Sequence, residues 1–170
     1  MFLKFIKNFG LKKIIKKSLA NYQPGAVPDA VTTIGVLIDE PYYKHSKAIV
    51  KELVQHGIAE ENIALLVYKE RANTKETVKG YYTYKDIAAN GSLQGEAAAF
   101  TGKQYNMLIS YYDEEKLPLL LATIQSRAGF KAGFSGIDKR LNHFTVNTDA
   151  DNYTVFMTEL LKYLKILNKI

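Results

Sequence analysis

The stretch YNMLISYYDEEKLPLLLATIQSRAGFKAGF, residues 105–134, decides how the rest of the chain reads. Residues 105–112 form a continuous β-prone apolar run, the pattern of a strand covered on both faces. An acidic turn follows, made of Asp113, Glu114 and Glu115. Residues 117–128 are strongly apolar and helical, with Pro118 in the first turn where its missing N–H is tolerated. Residues 130–134, FKAGF, supply a second short strand. Strand, helix and strand in this order form one unit of a parallel sheet.

The same alternation extends outward in both directions. Upstream, residues 32–39 (TTIGVLID) read as a buried strand, and residues 44–56 as a helix with Ile49, Val50, Leu53 and Val54 on one side. Gly57 suits the stop of that helix. Residues 62–68 (NIALLVY) form the next buried strand. Residues 69–80 are polar without a firm period, and Tyr81, Tyr82 and Tyr84 suggest an edge strand. A loop over 90–95 and a short helix over 96–101, closed by Gly102, lead into the central unit. Downstream come a strand at 144–147 (FTVN) and a final helix to about Leu167. Asp149 or Asp151 is its expected cap, and Val155, Phe156, Leu160, Tyr163, Leu164 and Leu167 its expected core residues. The expected fold is α/β: a doubly wound, mostly parallel Rossmann-like sheet of five to six strands, with TTIGVLID and YNMLISYY as interior neighbours.

With 170 residues, 47% hydrophobic and 24% charged, the composition is that of one ordinary globular domain and excludes collagen-like, disordered and multi-spanning membrane chains. There is no Cys, which removes disulfide frameworks, thiolate metal sites and cysteine nucleophiles, and fits a reducing compartment. Only three His are present, which argues against a multi-His metal site. His45, His56 and His143 read as surface or capping residues. No cofactor and no metal are expected.

Charge is distributed unevenly. The net charge is +6, and the first 23 residues hold Lys4, Lys7, Lys12, Lys13, Lys16 and Lys17 with no acid, leaving the remaining chain neutral. This basic segment has helical apolar spacing in two sets. Phe2, Ile6 and Phe9 share one side, whereas Leu11, Ile14, Ile15, Leu19 and Tyr22 share nearly the opposite one. The change of phase at Asn8 and Gly10 predicts two short helices, or one broken near Gly10. Residues 1–23 therefore read as a basic amphipathic arm, 24–31 as a linker, and 32–170 as the α/β domain. Lysines interrupt every apolar run that a signal peptide or a membrane span would need. Two roles stay open for the arm: contact with an anionic surface or partner, or packing on its own domain with a solvated lysine face.

In a doubly wound fold ligands bind beyond the carboxyl ends of the strands. The candidate rim is Asp39, Glu40 and Tyr42 after the first strand, Tyr112, Asp113, Glu114 and Lys116 after the central one, and Ser135, Asp138, Lys139 and Arg140 after FKAGF. Paired carboxylates there could share acid and base work or hold a divalent cation, and Lys139 with Arg140 could hold phosphate. The ordinary alternative for Asp113 and Glu114 is helix capping. The first strand turns through Asp39, Glu40, Pro41, Tyr42 and Tyr43, with no glycine cradle for a pyrophosphate. A P-loop and a Gly-x-Ser-x-Gly elbow are also missing. Of the neighbours Tyr111 and Tyr112, one is expected in the core and the other free to line the rim.

The segment YNMLISYYDEEKLPLLLATIQSRAGFKAGFSGIDKRLNHFTVNTDADNYTVF, the ending LLKYLKILNKI, the basic start and IGVLID together resemble an uncharacterised family of small Bacteroidota proteins, a domain of unknown function. That resemblance implies a bacterial, cytoplasmic protein and supplies no activity. Residues 105–134 also look like the amino-terminal half-domain of heptosyltransferase-type (GT-B) glycosyltransferases, which hold donor and acceptor between two such domains. A chain with one such domain lacks half of that cleft, and no catalytic residue carries over.

The sequence thus points to a non-catalytic adaptor whose arm docks on a partner protein, a membrane face or a ribonucleoprotein, placed in the cytoplasm or peripherally at the inner membrane. The alternative is a glycosyltransferase-like enzyme, or enzyme subunit, completed by a second chain. The neutral body argues against direct nucleic-acid binding through a broad surface.

Overall fold

The computed structural model describes residues 1–72 and 80–170, so most of the polar stretch between Lys69 and Gly80 lies outside the described residues. Among the described residues six strands form one sheet: β1 (Ile34–Asp39), β2 (Ile63–Tyr68), β3 (Tyr81–Tyr82), β4 (Met107–Tyr111), β5 (Phe130–Phe134) and β6 (Phe144–Val146). Their order is β3-β2-β1-β4-β5-β6 and every pairing is parallel. The chain winds outward from β1 to β3, returns beside β1 as β4, and winds the other way to β6. The two apolar runs are interior neighbours, with Ile34 opposite Met107 and Ile38 opposite Tyr111. All residues of β1, β4 and β5 are buried, as expected of parallel strands covered on both faces.

The helices are α1 (Phe2–Ala20), α2 (Ser46–Gln55), α3 (Gly95–Gly102), α4 (Leu117–Gln125) and α5 (Tyr153–Ile166). On one face α4 packs with α1 and α3; on the other, α2 packs with α5. Helix α2 stops before Gly57, which takes φ +93°. Phe156, Met157, Leu160, Leu161 and Leu164 bury the inner stripe of α5. Val155 and Leu167, expected in the core, lie outside that stripe and are exposed. The side chain that caps α5 is Asn152, accepting from the Val155 N–H, and not Asp149 or Asp151.

Helix α1 departs from its reading as two pieces: it runs unbroken through Gly10. The change of phase is real, but it marks a switch of apolar side and leaves the backbone helical. From Leu11 onward the apolar side faces inward, with Leu11, Ile15 and Leu19 in the core. Burying each contributes about 1.5–3 kcal/mol, more than the roughly 1 kcal/mol that a mid-helix glycine costs. Before Gly10 the apolar side faces out. Phe2, Phe5 and Phe9 are 74%, 71% and 68% exposed, too open to count as core residues.

Residues 24–31 lie against the body. His143 donates from Nε2 to the Gly25 carbonyl (3.1 Å) and accepts at Nδ1 from the Lys131 N–H (3.0 Å), so it stitches this segment to β5. A Cβ on Gly129 would meet the Ala26 carbonyl oxygen at 2.8 Å, so this close approach requires glycine.

Candidate functional site

The strand order reverses between β1 and β4, and the carboxyl ends of these strands open onto the rim. Asp39 closes β1 and is 2% exposed. Its Oδ2 takes an ion pair from Lys116 Nζ at 2.7 Å, and Oδ1 has no hydrogen-bond partner. Lys116 stands just before α4 and also reaches Glu70 Oε1 at 3.5 Å. Glu40 faces Lys69 at 3.8 Å. Burial raises the Asp39 carboxyl above the ordinary carboxylate range against the pull of Lys116. Burial would lower Lys116, but the hydrogen bond and charge of Asp39, then Glu70, lift it above its usual value.

A second group braces the other side of the reversal. Tyr42 donates to Asp113 Oδ1 (2.7 Å), and the Ala150 N–H donates to Asp113 Oδ2 (2.8 Å). Asp113 therefore ties the turn after β1 to the turn before α5 and caps no helix. The residue at the start of α4 is Lys116, which makes no side-chain cap. Burial first, then the hydrogen bond to Asp113, raise the Tyr42 hydroxyl far above its usual pKa. Such a phenol stays a proton donor at neutral pH.

The third group is closed on itself. Asp138 accepts from the Arg140 N–H, Nε and NH2 at 3.0, 3.0 and 2.6 Å, while its own N–H donates to Glu115 (2.8 Å). The guanidinium fork is occupied by a carboxylate, which leaves Lys139 and Glu114 as exposed neighbours. Ser135 donates to Asn147 (3.2 Å). Tyr112 is not on the rim. It and Tyr111 are both fully buried, because the sheet is covered on both faces and neighbours of opposite orientation each find a helix. The Tyr112 hydroxyl meets Thr123 Oγ1 at 2.6 Å, and the Tyr111 hydroxyl donates to the Ala150 carbonyl.

The rim residues thus form three local groups instead of one site; ion pairs hold the first and third, and neutral donors meet Asp113 in the second. A small cleft of about 210 Å³ adjoins the first group, lined among others by Lys116, Glu70, Tyr68 and Tyr84, with Lys4 and Asn8 of α1 at its edge. Sequence reasoning missed Lys69 and Glu70. They follow β2 as Glu40 follows β1, and the register of Asp39 with Tyr68 brings them to the same end. His45, read as a surface or capping residue, has its ring beside Tyr111 and Tyr153 with Nε2 buried. Among the described residues, no group of three or more His, Asp or Glu is arranged to hold a metal ion.

The arm's six lysines divide in two. Lys7 donates to the Tyr84 carbonyl (3.2 Å), and both Lys4 and Lys7 sit over the Tyr84 ring at 5.6 and 4.3 Å. Lys12, Lys13, Lys16 and Lys17 are exposed. At 100° per residue these four share the outward side of α1 with Phe2, Phe5, Ile6 and Phe9. Among the described residues, no helix is long and apolar enough to cross a membrane.

No curated protein and no solved structure matches this chain. A family profile matches residues 7–167, spanning α1 from its second turn through α5. The chain belongs to the family of unknown function DUF6913.

Proposed function

We propose that this chain is a non-catalytic docking protein in which the α/β body fixes α1 and presents its outward side to an anionic partner surface. The observation that carries the reading is the double use of α1. Leu11, Ile15 and Leu19 anchor it in the core, while Phe2, Phe5, Ile6 and Phe9 stay exposed in line with four solvent-facing lysines. Large exposed apolar side chains grouped on one helix side mark interaction surfaces. A helix already held in place loses little conformational freedom when it binds. The rim fits a structural role, since Asp39, Asp113 and Asp138 are each engaged by neighbouring turns. In this reading the protein works in a bacterial cytoplasm, as the likeness to Bacteroidota proteins implies.

The test is capture from cell lysate at low and moderate salt, comparing the intact chain with a Lys12→Gln, Lys13→Gln, Lys16→Gln, Lys17→Gln variant. Salt-sensitive capture that the substitutions abolish supports docking through α1; equal capture by both proteins overturns it. A second reading, a glycosyltransferase-like subunit completed by another chain, draws on one observation. The buried Asp39 leaves Oδ1 unpartnered at the strand reversal, where a ligand hydroxyl would satisfy it.

A further inference from the structure

We infer that the surface taken by α1 is an anionic lipid bilayer, on which the helix lies flat with its phenylalanines in the acyl boundary and its lysines among the headgroups. The inference rests on the docking reading above and names its partner. Phe2, Phe5, Ile6 and Phe9, with Lys12, Lys13, Lys16 and Lys17, fall within an arc of about 140° on the outward side. Along the axis the apolar group spans about 10 Å and the lysine group about 8 Å. One side of one helix thus carries an apolar wedge followed by a cationic patch, with no acid anywhere in α1.

Three features select a bilayer over a protein groove. The wedge is made of protruding side chains, with Phe2, Phe5 and Phe9 each more than two-thirds exposed and Ile6 51% exposed. A fluid acyl boundary accommodates them without a matching cavity. The lysines lie on the same side as the apolar residues instead of the opposite one. That placement suits an interface where long stems reach from apolar depth to phosphate and carboxylate headgroups. Finally, the inner side of α1 is held by Leu11, Ile15 and Leu19, so the helix meets the surface already folded and parallel to it. Neither signal suffices alone: three aromatic rings give shallow insertion, and lysine attraction fades with salt.

The experiment is co-sedimentation of the 170-residue chain with vesicles of phosphatidylcholine, alone or mixed with phosphatidylserine. Binding is expected only to the mixed vesicles. It should weaken at least about tenfold both in a Phe2→Ser, Phe5→Ser, Phe9→Ser variant and in the four-lysine variant, as the loss of either signal requires. All of these side chains are exposed, so the thermal transitions should be unchanged. The chain has no Trp, so Phe9→Trp provides a single reporter whose emission should shift to the blue on mixed vesicles. Failure of the intact chain to bind mixed vesicles at low salt overturns the inference. So does undiminished binding by the phenylalanine variant, or an unshifted Trp emission. If the lysine variant loses its lysate partner while the intact chain ignores vesicles, the docking reading stands and the bilayer is the wrong partner.

Discussion

Lys131 sits in the middle of β5, 2% exposed, and burial lowers its ammonium from 10.5 to about 8. Its Nζ donates to the Thr123 carbonyl at 2.5 Å and lies 5.1 Å from the Tyr22 ring centre. Thr123 is in the last turn of α4, where carbonyls lack helical partners, so β5 supplies that helix with a cationic C-terminal cap. A fall from 10.5 to about 8 corresponds to about 3 kcal/mol of stability forgone while the amine is charged. The sign follows from linkage. Between pH 8 and 10.5 the unfolded chain binds more protons at this site than the folded one, so stability rises with pH across that window. Tyrosines whose hydroxyls are raised by burial oppose the rise from about pH 9, where the unfolded chain begins to ionise its phenols. Urea unfolding followed by circular dichroism should therefore show a Lys131-dependent gain of about 1 kcal/mol from about pH 7.5 to 9, read as the difference between the intact protein and Lys131→Met, in which the tyrosines cancel. Lys131→Met keeps the length and removes the titration. It orphans the Thr123 carbonyl at a cost of about 1–3 kcal/mol, offset at pH 7 by no longer burying a charge. The variant should match the intact protein within about 1.5 kcal/mol at pH 7 and show no alkaline gain. The same pH profile in the intact protein and in Lys131→Met would refute the reasoning.

Leu11→Ala should cost about 2–5 kcal/mol in chemical denaturation, whereas Phe5→Ala should change stability by less than about 0.5 kcal/mol, because one side of α1 is core and the other is not. Asp113→Ala leaves the Tyr42 hydroxyl and the Ala150 N–H without their acceptor, and a loss of about 1–3 kcal/mol is expected. In that background Tyr42→Phe should add less than it costs alone, and full additivity in the double-mutant cycle would show that the brace does not act as a unit. Calorimetric titration with nucleoside diphosphates and their sugar conjugates should give no saturable micromolar binding, since Arg140 is already engaged by Asp138 and no glycine cradle follows β1. Saturable binding abolished by Asp113→Ala would promote the glycosyltransferase-like reading.

Much of the candidate site was legible as a set of residue numbers, and little of it as a set of contacts. The rule that ligands approach the carboxyl ends of parallel strands pointed to Asp39, Asp113 and Lys116, and each does stand at that end. Which residues they meet was not legible, because pairing Asp39 with Lys116, or Tyr42 with Asp113 across 71 positions, depends on how loops from different strands converge. Helix capping, the local alternative for Asp113, is not its role: its partners come from the turns after β1 and before α5. Lys131 carried no local signal either. Within FKAGF it looks like a strand residue whose side chain finds solvent, and only the helix laid over that face removes the water.

The sequence by itself determined the elements and their winding. Short apolar runs separated by helical spacing allow few arrangements other than a parallel sheet with covered faces, and TTIGVLID and YNMLISYY are too apolar to sit at an edge. Periodicity also detected the phase change in α1, since it depends only on the angle between successive residues. What that change means was decided by the tertiary structure. A helix cannot tell from its own sequence which of two opposed apolar sides has a neighbour; α1 packs on α4 with Leu11, Ile15 and Leu19 buried, whereas Phe2, Phe5 and Phe9 are exposed. Burial is a property of the surroundings, and it separates the half of α1 that holds the fold together from the half offered to a partner.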